Sequence, residues 1–274
     1  MSMQGNPQPS GGGIPLQIEI TRGSFHFRGT VSLPVVPTRP RELVPLALAL
    51  ADAAAEDAAR RVAAEGGTVS CKKGCAACCR YLVHVSESEA YYLHELVERL
   101  PQPRRSQVRE RFAEARRRLQ QAGFLETLQQ FPVWTGREIR ERGQAYHALQ
   151  LSCPFLEDES CSVYADRPIA CREYLVTSPP EYCASADRTA IRGVSMPVSF
   201  FAGLARFGVP AEAKTLHRWV PLVLALEWAE SHVDRNASRP AEQLLNEFIE
   251  HLGMRSATEE PWPPASAGGE DPTR

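Results

Sequence analysis

The sequence has no long hydrophobic run and no strong excess of charge of either sign. Of its 274 residues, 43% are hydrophobic and 23% are charged, and the formal net charge is −2. No apolar stretch reaches the roughly 18–20 residues that a membrane-spanning helix needs. The longest candidate, 219–228, is too short and contains Glu227. We therefore expect a globular protein without a membrane span, and the near-neutral charge gives no reason to expect a nucleic-acid surface.

Features of secretion and of the common cofactor folds are also missing. Residues 1–13 have no basic segment followed by an apolar one, so they do not resemble a signal peptide, and we expect a cytoplasmic protein. No glycine-rich loop follows a strand, and strands and helices do not alternate, which argues against a Rossmann sheet or a TIM barrel. No nucleophile–base pair is recognisable, so the sequence leaves open whether the protein is an enzyme.

Cysteine is what the chain does have, concentrated in two groups of four. The proximal group lies within nine residues, Cys71-Lys-Lys-Gly-Cys75-Ala-Ala-Cys78-Cys79. The distal group consists of Cys153, Cys161, Cys171 and Cys183. Thiolates are the soft ligands that select zinc, copper(I) or iron–sulfur clusters. Because thiols stay reduced in the cytoplasm, we interpret all eight as metal ligands rather than disulfides.

The spacing of the proximal group restricts how it binds a metal. On a helix, Cys71, Cys75 and Cys78 would share one face, but Cys79 would point about 100° away from Cys78. Either the segment is a loop, or Cys78 and Cys79 serve different metals or opposite corners of a cluster. Three sulfurs leave a tetrahedral site one ligand short. We therefore expect the distal group to fold back onto the proximal one.

The distal group adds three short patterns: Cys-Pro-Phe-Leu at 153–156, Cys-Ser-Val-Tyr at 161–164 and Arg-Pro-Ile-Ala-Cys-Arg at 167–172. Together with the proximal C-x3-C-x2-C-C, they resemble the YkgJ-type cysteine-cluster family, described as zinc- or iron-chelating. Flagellin lysine N-methylase carries a related module. The resemblance covers roughly 70–183 and implies metal binding without a particular reaction. The methylase is associated with an iron–sulfur cluster, which favours iron, whereas a purely structural site favours zinc.

Side chains next to the cysteines are candidates for the surroundings of the metal: Arg80, Tyr164, Arg167 and Arg172. The arginines offer N–H donors to bound sulfur, and the tyrosine ring would exclude solvent. His84 and His147 lie near cysteines in sequence, but eight thiolates need no imidazole, so we expect ordinary hydrogen-bonding histidines.

The spacing of Cys71, Cys75 and Cys78 also occurs in radical S-adenosylmethionine enzymes. Those enzymes resemble one another in a partial (β/α) barrel, and the pattern of this chain contains no βα repeats. Five further cysteines would also be left unexplained. We therefore disfavour that interpretation.

The predicted fold is α+β, predominantly α-helical, and organised around a cysteine-ligated metal site. A hairpin is predicted around Gly23, helices at 41–64, 86–100 and 106–122, and short strands at 149–156 and 161–164. The arginine-rich helix at 106–122 alternates basic and acidic residues, which favours a solvated face. The predicted organisation is a disordered segment 1–13, a hairpin and helix 14–66, a metal-binding domain 67–190, a helical region 191–254 and a disordered tail 255–274.

The function that these features predict is that of a metal-binding cysteine-cluster protein, with an iron–sulfur cluster or Zn²⁺ held by both cysteine groups. Two alternatives remain: an iron–sulfur-dependent protein-modifying enzyme of methyltransferase type, and a redox or metal-sensing interaction module. The expected partner is a metal ion or cluster, with no membrane and no nucleic acid. A protein partner is left open.

Overall fold

The computed structural model describes residues 13–131, 136–186, 189–209 and 218–252. Within these ranges the chain is α+β and mostly helical, as predicted. The helices are α1 (Val44–Ala64), α2 (Glu87–Glu98), α3 (Arg104–Gln121), α4 (Leu125–Gln129), α5 (Gly136–Ala148), α6 (Ile169–Glu173), α7 (Pro180–Ala184), α8 (Phe200–Ala205), α9 (Ala225–Ser231) and α10 (Ala241–Leu252). The strands are β1 (Gly13–Arg22), β2 (Phe25–Pro34), β3 (His84–Ser86), β4 (Leu156–Glu157), β5 (Ser160–Cys161) and β6 (Trp219–Pro221).

The predicted hairpin is present as β1 and β2, which pair antiparallel from Gly13↔Pro34 to Arg22↔Phe25. Gly23 begins the two-residue turn with φ +54°, a backbone conformation that glycine adopts without steric cost. The predicted disordered segments, 1–13 and 255–274, lie outside the described residues, except that residue 13 is the first residue of β1.

Helices α1 and α2 begin and end where local chemistry predicts. Helix α1 is rich in alanine and leucine and ends before Gly66, which has φ +80°. Ser86 caps α2 by accepting a hydrogen bond from the Glu89 backbone N–H, and the Glu89 carboxylate accepts one from the Ser86 N–H. This is the predicted capping box.

Two apolar cores carry most of the packing in the described chain. The first joins the hairpin and α1 to α8 and α10, so that the two ends of the described chain share one core. The second joins α2 and α3 to α4, to residues before and after β4 and β5, and to the segment from β6 into α9. In α3 the predicted stripe is the buried face: Val108, Phe112, Ala115 and Leu119.

Three predictions of local structure are wrong. Of the strand predicted at 161–164, only Cys161 lies in a strand, and Tyr164–Asp166 form a short 3-10 helix. Residues 149–155 do not form a strand, because the chain turns at Gln150 (φ +48°) and the Cys153 N–H bonds to Cys79 outside any sheet. The region 191–254, predicted to be helical, also contains a strand. Residues Trp219–Pro221 form β6, because they pair antiparallel with β3, whose backbone groups need partners.

The charged face of α3 is solvated and paired, as predicted. Arg109 contacts Glu98 and Glu230, each at 2.6 Å, and Arg116 contacts Glu227 at 2.7 Å. Of the helices described, none combines the length and the apolarity that crossing a bilayer requires.

Candidate metal centre

The proximal cysteine segment is a loop made of successive turns, not a helix. The Cys75 N–H bonds to the Lys72 carbonyl at 3.0 Å, and the Cys79 N–H bonds to the Ala76 carbonyl at 2.9 Å. Gly74 has φ +87°, which a helix does not allow. The segment is therefore a loop, which is the first of the alternatives that the spacing left open.

The distal segment folds back onto this loop, as the shortage of ligands predicts. The Cys153 N–H donates to the Cys79 carbonyl at 2.7 Å, and the Ser70 N–H donates to the Val176 carbonyl at 2.9 Å. The Cys71 thiol lies 3.9 Å from the Tyr174 carbonyl. Backbone hydrogen bonds therefore hold the two segments together at both ends of the proximal loop.

Cysteines from both segments line one small cavity. Three are proximal and one is distal: Cys71, Cys75, Cys78 and Cys183. The cavity measures about 10 Å³, close to the smallest volume that holds one atom the size of a water oxygen. The remaining wall includes the Tyr174 ring and Val176, and no acidic side chain belongs to this lining. Four cysteines from the two segments therefore line the same small cavity.

The other four cysteines do not line this cavity. Cys153 is hydrogen-bonded to Cys79, and the β4–β5 pairing places Cys161 opposite Leu156, whose N–H bonds to the Cys153 carbonyl. Cys171 lies on α6, and the charges of Cys153 and Cys161 both reach its thiol. This group combines one proximal cysteine with three distal ones.

Burial and mutual repulsion raise the pKa of the thiols. Burial is the main cause for Cys153, whose pKa rises to about 12, and for Cys183, whose pKa rises to about 11. For Cys78 the hydrogen bond to Cys79 raises the pKa most, followed by burial. The charge of Cys78 raises the pKa of five others: Cys71, Cys153, Cys161, Cys171 and Cys183. The thiols therefore converge on Cys78.

The thiols lie near one another but are not arranged as the ligands of a metal ion. In the described ranges, no three side chains of His, Cys, Asp or Glu lie close enough together to hold a metal ion as they stand. The donor set nevertheless fits the soft metals, because eight sulfurs are gathered in one region and four of them share a cavity without a competing carboxylate. A bound ion would have to draw these sulfurs inward and displace their protons.

Arg167 is the predicted neighbour whose charge acts on cysteines of both groups. Its guanidinium lies 4.3 Å from the centre of the Tyr164 ring, and Lys73 lies 5.8 Å from the same ring. The charge of Arg167 lowers the pKa of four thiols against the larger effect of burial or of the Cys79 contact: Cys71, Cys78, Cys161 and Cys171. Arg167 therefore offers the positive charge that a thiolate site needs.

Arg172 and Arg80 form hydrogen bonds and ion pairs with groups other than the cysteine thiols. The Arg172 side chain is only 2% exposed and donates to the carbonyls of Arg167 and Ala165, at 2.9 and 2.5 Å, and to Asp52 of α1. Arg80 forms a surface ion pair with Glu159 at 2.9 Å. Arg172 thus fixes the backbone that precedes Cys171, and Arg80 ties the proximal loop to the β4–β5 turn.

Sequence reasoning missed three side chains that position the cysteine segments. Glu89 is buried and accepts a hydrogen bond from the Ile169 N–H at 2.8 Å, so it caps α6 as well as α2. Glu173 accepts from the Phe200 N–H and the Ser199 hydroxyl, and burial raises its pKa to about 8. The Tyr81 hydroxyl donates to the Cys183 carbonyl at 2.7 Å. Only Glu89 left a signal in the sequence, through its capping box.

Comparison with known proteins identifies the segment that carries this site. Residues 70–188 match the CxxCxxCC family model, whose description is "Putative zinc- or iron-chelating domain". No curated protein and no solved structure matches the chain. The match confirms the resemblance that the cysteine pattern predicts, at the level of zinc or iron chelation. The similarity to the CxxCxxCC family therefore covers residues 70–188, less than half of the chain, and this segment contains all eight cysteines.

Proposed function

We propose that the CxxCxxCC domain binds two metal ions, zinc or iron, each through four thiolates drawn from both cysteine groups. The first site would use the four cysteines that share the cavity: Cys71, Cys75, Cys78 and Cys183. The second would use the remaining four: Cys79, Cys153, Cys161 and Cys171. The observation that carries the proposal is the cavity of about 10 Å³ ringed by three proximal thiols and one distal thiol.

The size of this cavity favours a single ion over a cluster of four irons at the first site. A four-thiolate site on a divalent ion carries a net charge of about −2, which a nearby cation stabilises. Arg167 is in place to do so for both sites, since its charge acts on thiols of each. When bound, such an ion cross-links loop segments that share few apolar contacts.

Metal analysis with an ultraviolet–visible spectrum, on protein purified without oxygen, tests the proposal. We expect two equivalents of zinc or iron and no inorganic sulfide. Cys75→Ser should remove one equivalent, and Cys171→Ser should remove the other. Ala77→Ser is a matched control, because it adds a hydroxyl to the same cavity wall without removing a ligand; it should keep both equivalents.

Three results would contradict the proposal. Inorganic sulfide with broad visible absorption would indicate an iron–sulfur cluster instead of single ions. Loss of all metal in Cys75→Ser and in Cys171→Ser would indicate one shared polynuclear site. Full metal content in both variants would show that these thiols are not ligands.

A further inference from the structure

A second cavity, of about 640 Å³, lies between α1 and the two cysteine segments. Its volume is within the range for small-molecule sites, about 300–1,000 Å³. Part of the wall comes from the segment just before the proximal loop and from the distal segment. The rest is one face of α1, whose residues recur at helical spacing: Asp52, Ala55, Glu56, Ala59 and Ala63.

Cys71 connects this large cavity with the small cavity of the first metal site. Among the described residues it is the one cysteine that lines both. Of the described residues around the small cavity, none is exposed, whereas Glu56, Ala63 and Thr68 of the large cavity are exposed. The large cavity therefore opens to solvent, and of the four cysteines of the first site, Cys71 is the one that a molecule inside it would meet.

Arg167 gives the large cavity a cation that the protein does not neutralise. Its guanidinium packs on the Tyr164 ring at 4.3 Å. Within the described ranges it forms no ion pair, and its buried Nε has no hydrogen-bond partner. The other arginine of the lining, Arg172, is already paired with Asp52.

The remaining charge of the lining is Glu56, which is exposed on α1. The charge of Arg167 acts on the Cys71 thiol, whereas Glu56 is not among the charges that affect this thiol most. The part of the cavity next to Cys71 is therefore positive, which suits an anionic ligand.

We propose that the large cavity binds a small metal ligand that carries carboxylates, and that metal enters and leaves the first site by exchange at Cys71. This inference rests on the proposed metal function and adds a route and a class of ligand. Arg167 would hold one carboxylate, because guanidinium and carboxylate can form two parallel hydrogen bonds. On release, a carboxylate oxygen binds the ion, the bond from the ion to the Cys71 sulfur breaks, and the thiolate takes a proton from solvent.

Ala63 allows the cavity to be narrowed without touching a metal ligand. It is exposed in the last turn of α1 and lines the cavity, so Ala63→Phe places a ring at the opening. Ala64→Phe is the matched control, because Ala64 is exposed in the same turn but does not line the cavity. The two substitutions have the same cost in helix propensity.

Limited alkylation of the full-length protein, purified without oxygen and with its metal, tests the route. Trypsin cleaves after Lys72, which separates Cys71 from the other proximal cysteines for mass spectrometry. With iodoacetate, we expect Cys71 to react at least fivefold faster than Cys75, Cys78 or Cys183. The reaction of Cys71 should be at least threefold slower in Ala63→Phe and unchanged in Ala64→Phe.

Comparison with iodoacetamide, which is neutral, tests the charge. The ratio of the two alkylation rates at Cys71 cancels changes in the reactivity of the sulfur itself, because both reagents attack the same atom. This ratio of iodoacetate to iodoacetamide should fall at least threefold in Arg167→Gln. It should stay constant in Arg60→Gln, since Arg60 is exposed on α1 and does not line the cavity.

Metal release to ethylenediaminetetraacetate, a polycarboxylate, tests the exchange. In Ala63→Phe, one of the two metal equivalents should leave at least threefold more slowly than in the wild type. Ala64→Phe should release both equivalents at the rates of the wild type. Both variants should contain two equivalents at the start, with equal melting temperatures.

Each part of the proposal can fail separately. Faster alkylation of another cysteine of the first site, or equal slowing in both phenylalanine variants, would overturn the route through Cys71. An unchanged ratio in Arg167→Gln would overturn the carboxylate preference, and unchanged metal release in Ala63→Phe would overturn the exchange. A wild type without bound metal would contradict the proposed function, whereas any of these results at full metal content would contradict this inference alone.

Discussion

The two apolar cores and the cysteine region are stabilised in different ways. The cores bury large side chains such as Phe248, Leu119 and Phe155, each at most 1% exposed. Around the cysteine loop, the buried apolar cluster consists of Val176, Cys183 and Ile191 alone among the described residues. Burial of one such side chain contributes about 1.5–3 kcal/mol, whereas ordering one backbone residue costs about 1–2 kcal/mol. Apolar burial explains the cores but cannot by itself explain an ordered loop at 71–79.

The largest expected effect comes from removing the metal. Without it, the cysteine region should lose the cross-links that replace an apolar core, and its local stability should fall by about 5 kcal/mol or more. Chelation under reducing conditions should therefore speed amide hydrogen exchange at 70–80 and 153–185, while α3 and α10 stay protected. Uniform loss of protection across all helices would show that the two regions unfold together.

Truncation of a core side chain should have the opposite pattern. Phe248→Ala leaves a cavity between α10 and α8, so the free energy of unfolding should fall by about 3–5 kcal/mol, with metal content per folded chain unchanged. Val233→Ala, at a position 84% exposed, should change it little. Chemical denaturation combined with metal analysis checks both variants. Loss of metal from folded Phe248→Ala would show that the apolar core and the cysteine region are not stabilised independently.

Arg172 connects the two regions, so its removal sharpens the comparison. Arg172→Ala leaves the carbonyls of Arg167 and Ala165 without their donor, and the free energy of unfolding should fall by about 2–3 kcal/mol. Metal should also be released to a chelator faster, because the backbone before Cys171 loses its support. Arg60→Ala, on the exposed side of α1, is the control. An unchanged rate of metal release would show that Arg172 stabilises the fold without helping to retain the metal.

The smallest effect concerns the dependence of stability on pH. The pKa of His84 falls from 6.5 to about 4 on folding because of burial, so below pH 6.5 the unfolded chain binds a proton that the folded chain does not. Stability is therefore lost as the pH falls from 6.5 towards 4. His84→Gln should remove about 1–2 kcal/mol of this loss between pH 7 and pH 5. If the free energy of unfolding depends on pH in the same way in the wild type and in the variant, the lowered pKa of His84 is wrong.

Local chemistry predicted the elements in which neighbouring residues decide the outcome. The hairpin at Gly23, the end of α1 before Gly66, the capping box at Ser86 and the buried stripe of α3 all follow from sequence distances of a few residues. Strand β6 did not, because its apolar sequence suits a helix equally well and its partner, β3, lies more than 130 residues away.

In the candidate site, too, some features could be predicted from the sequence and others depend on contacts between distant residues. The contact between the two cysteine groups could be predicted, since three proximal sulfurs leave a tetrahedral site one ligand short. Which cysteines share a cavity could not, because Cys183 joins the proximal group through contacts of Tyr81 and Tyr174 that no sequence spacing records.

The cavity that Cys78 shares with Cys183 has a consequence for biosynthesis. At ordinary elongation rates, the roughly hundred residues between them take on the order of 5–20 seconds to synthesise. During that interval the proximal cysteines leave the ribosome with no distal partner, and Ser86 and Glu89 form a cap that still lacks the Ile169 N–H. Correct loading of the metal is therefore a late event in the life of the nascent chain, and the growing protein must keep four neighbouring thiols reduced until its second half arrives.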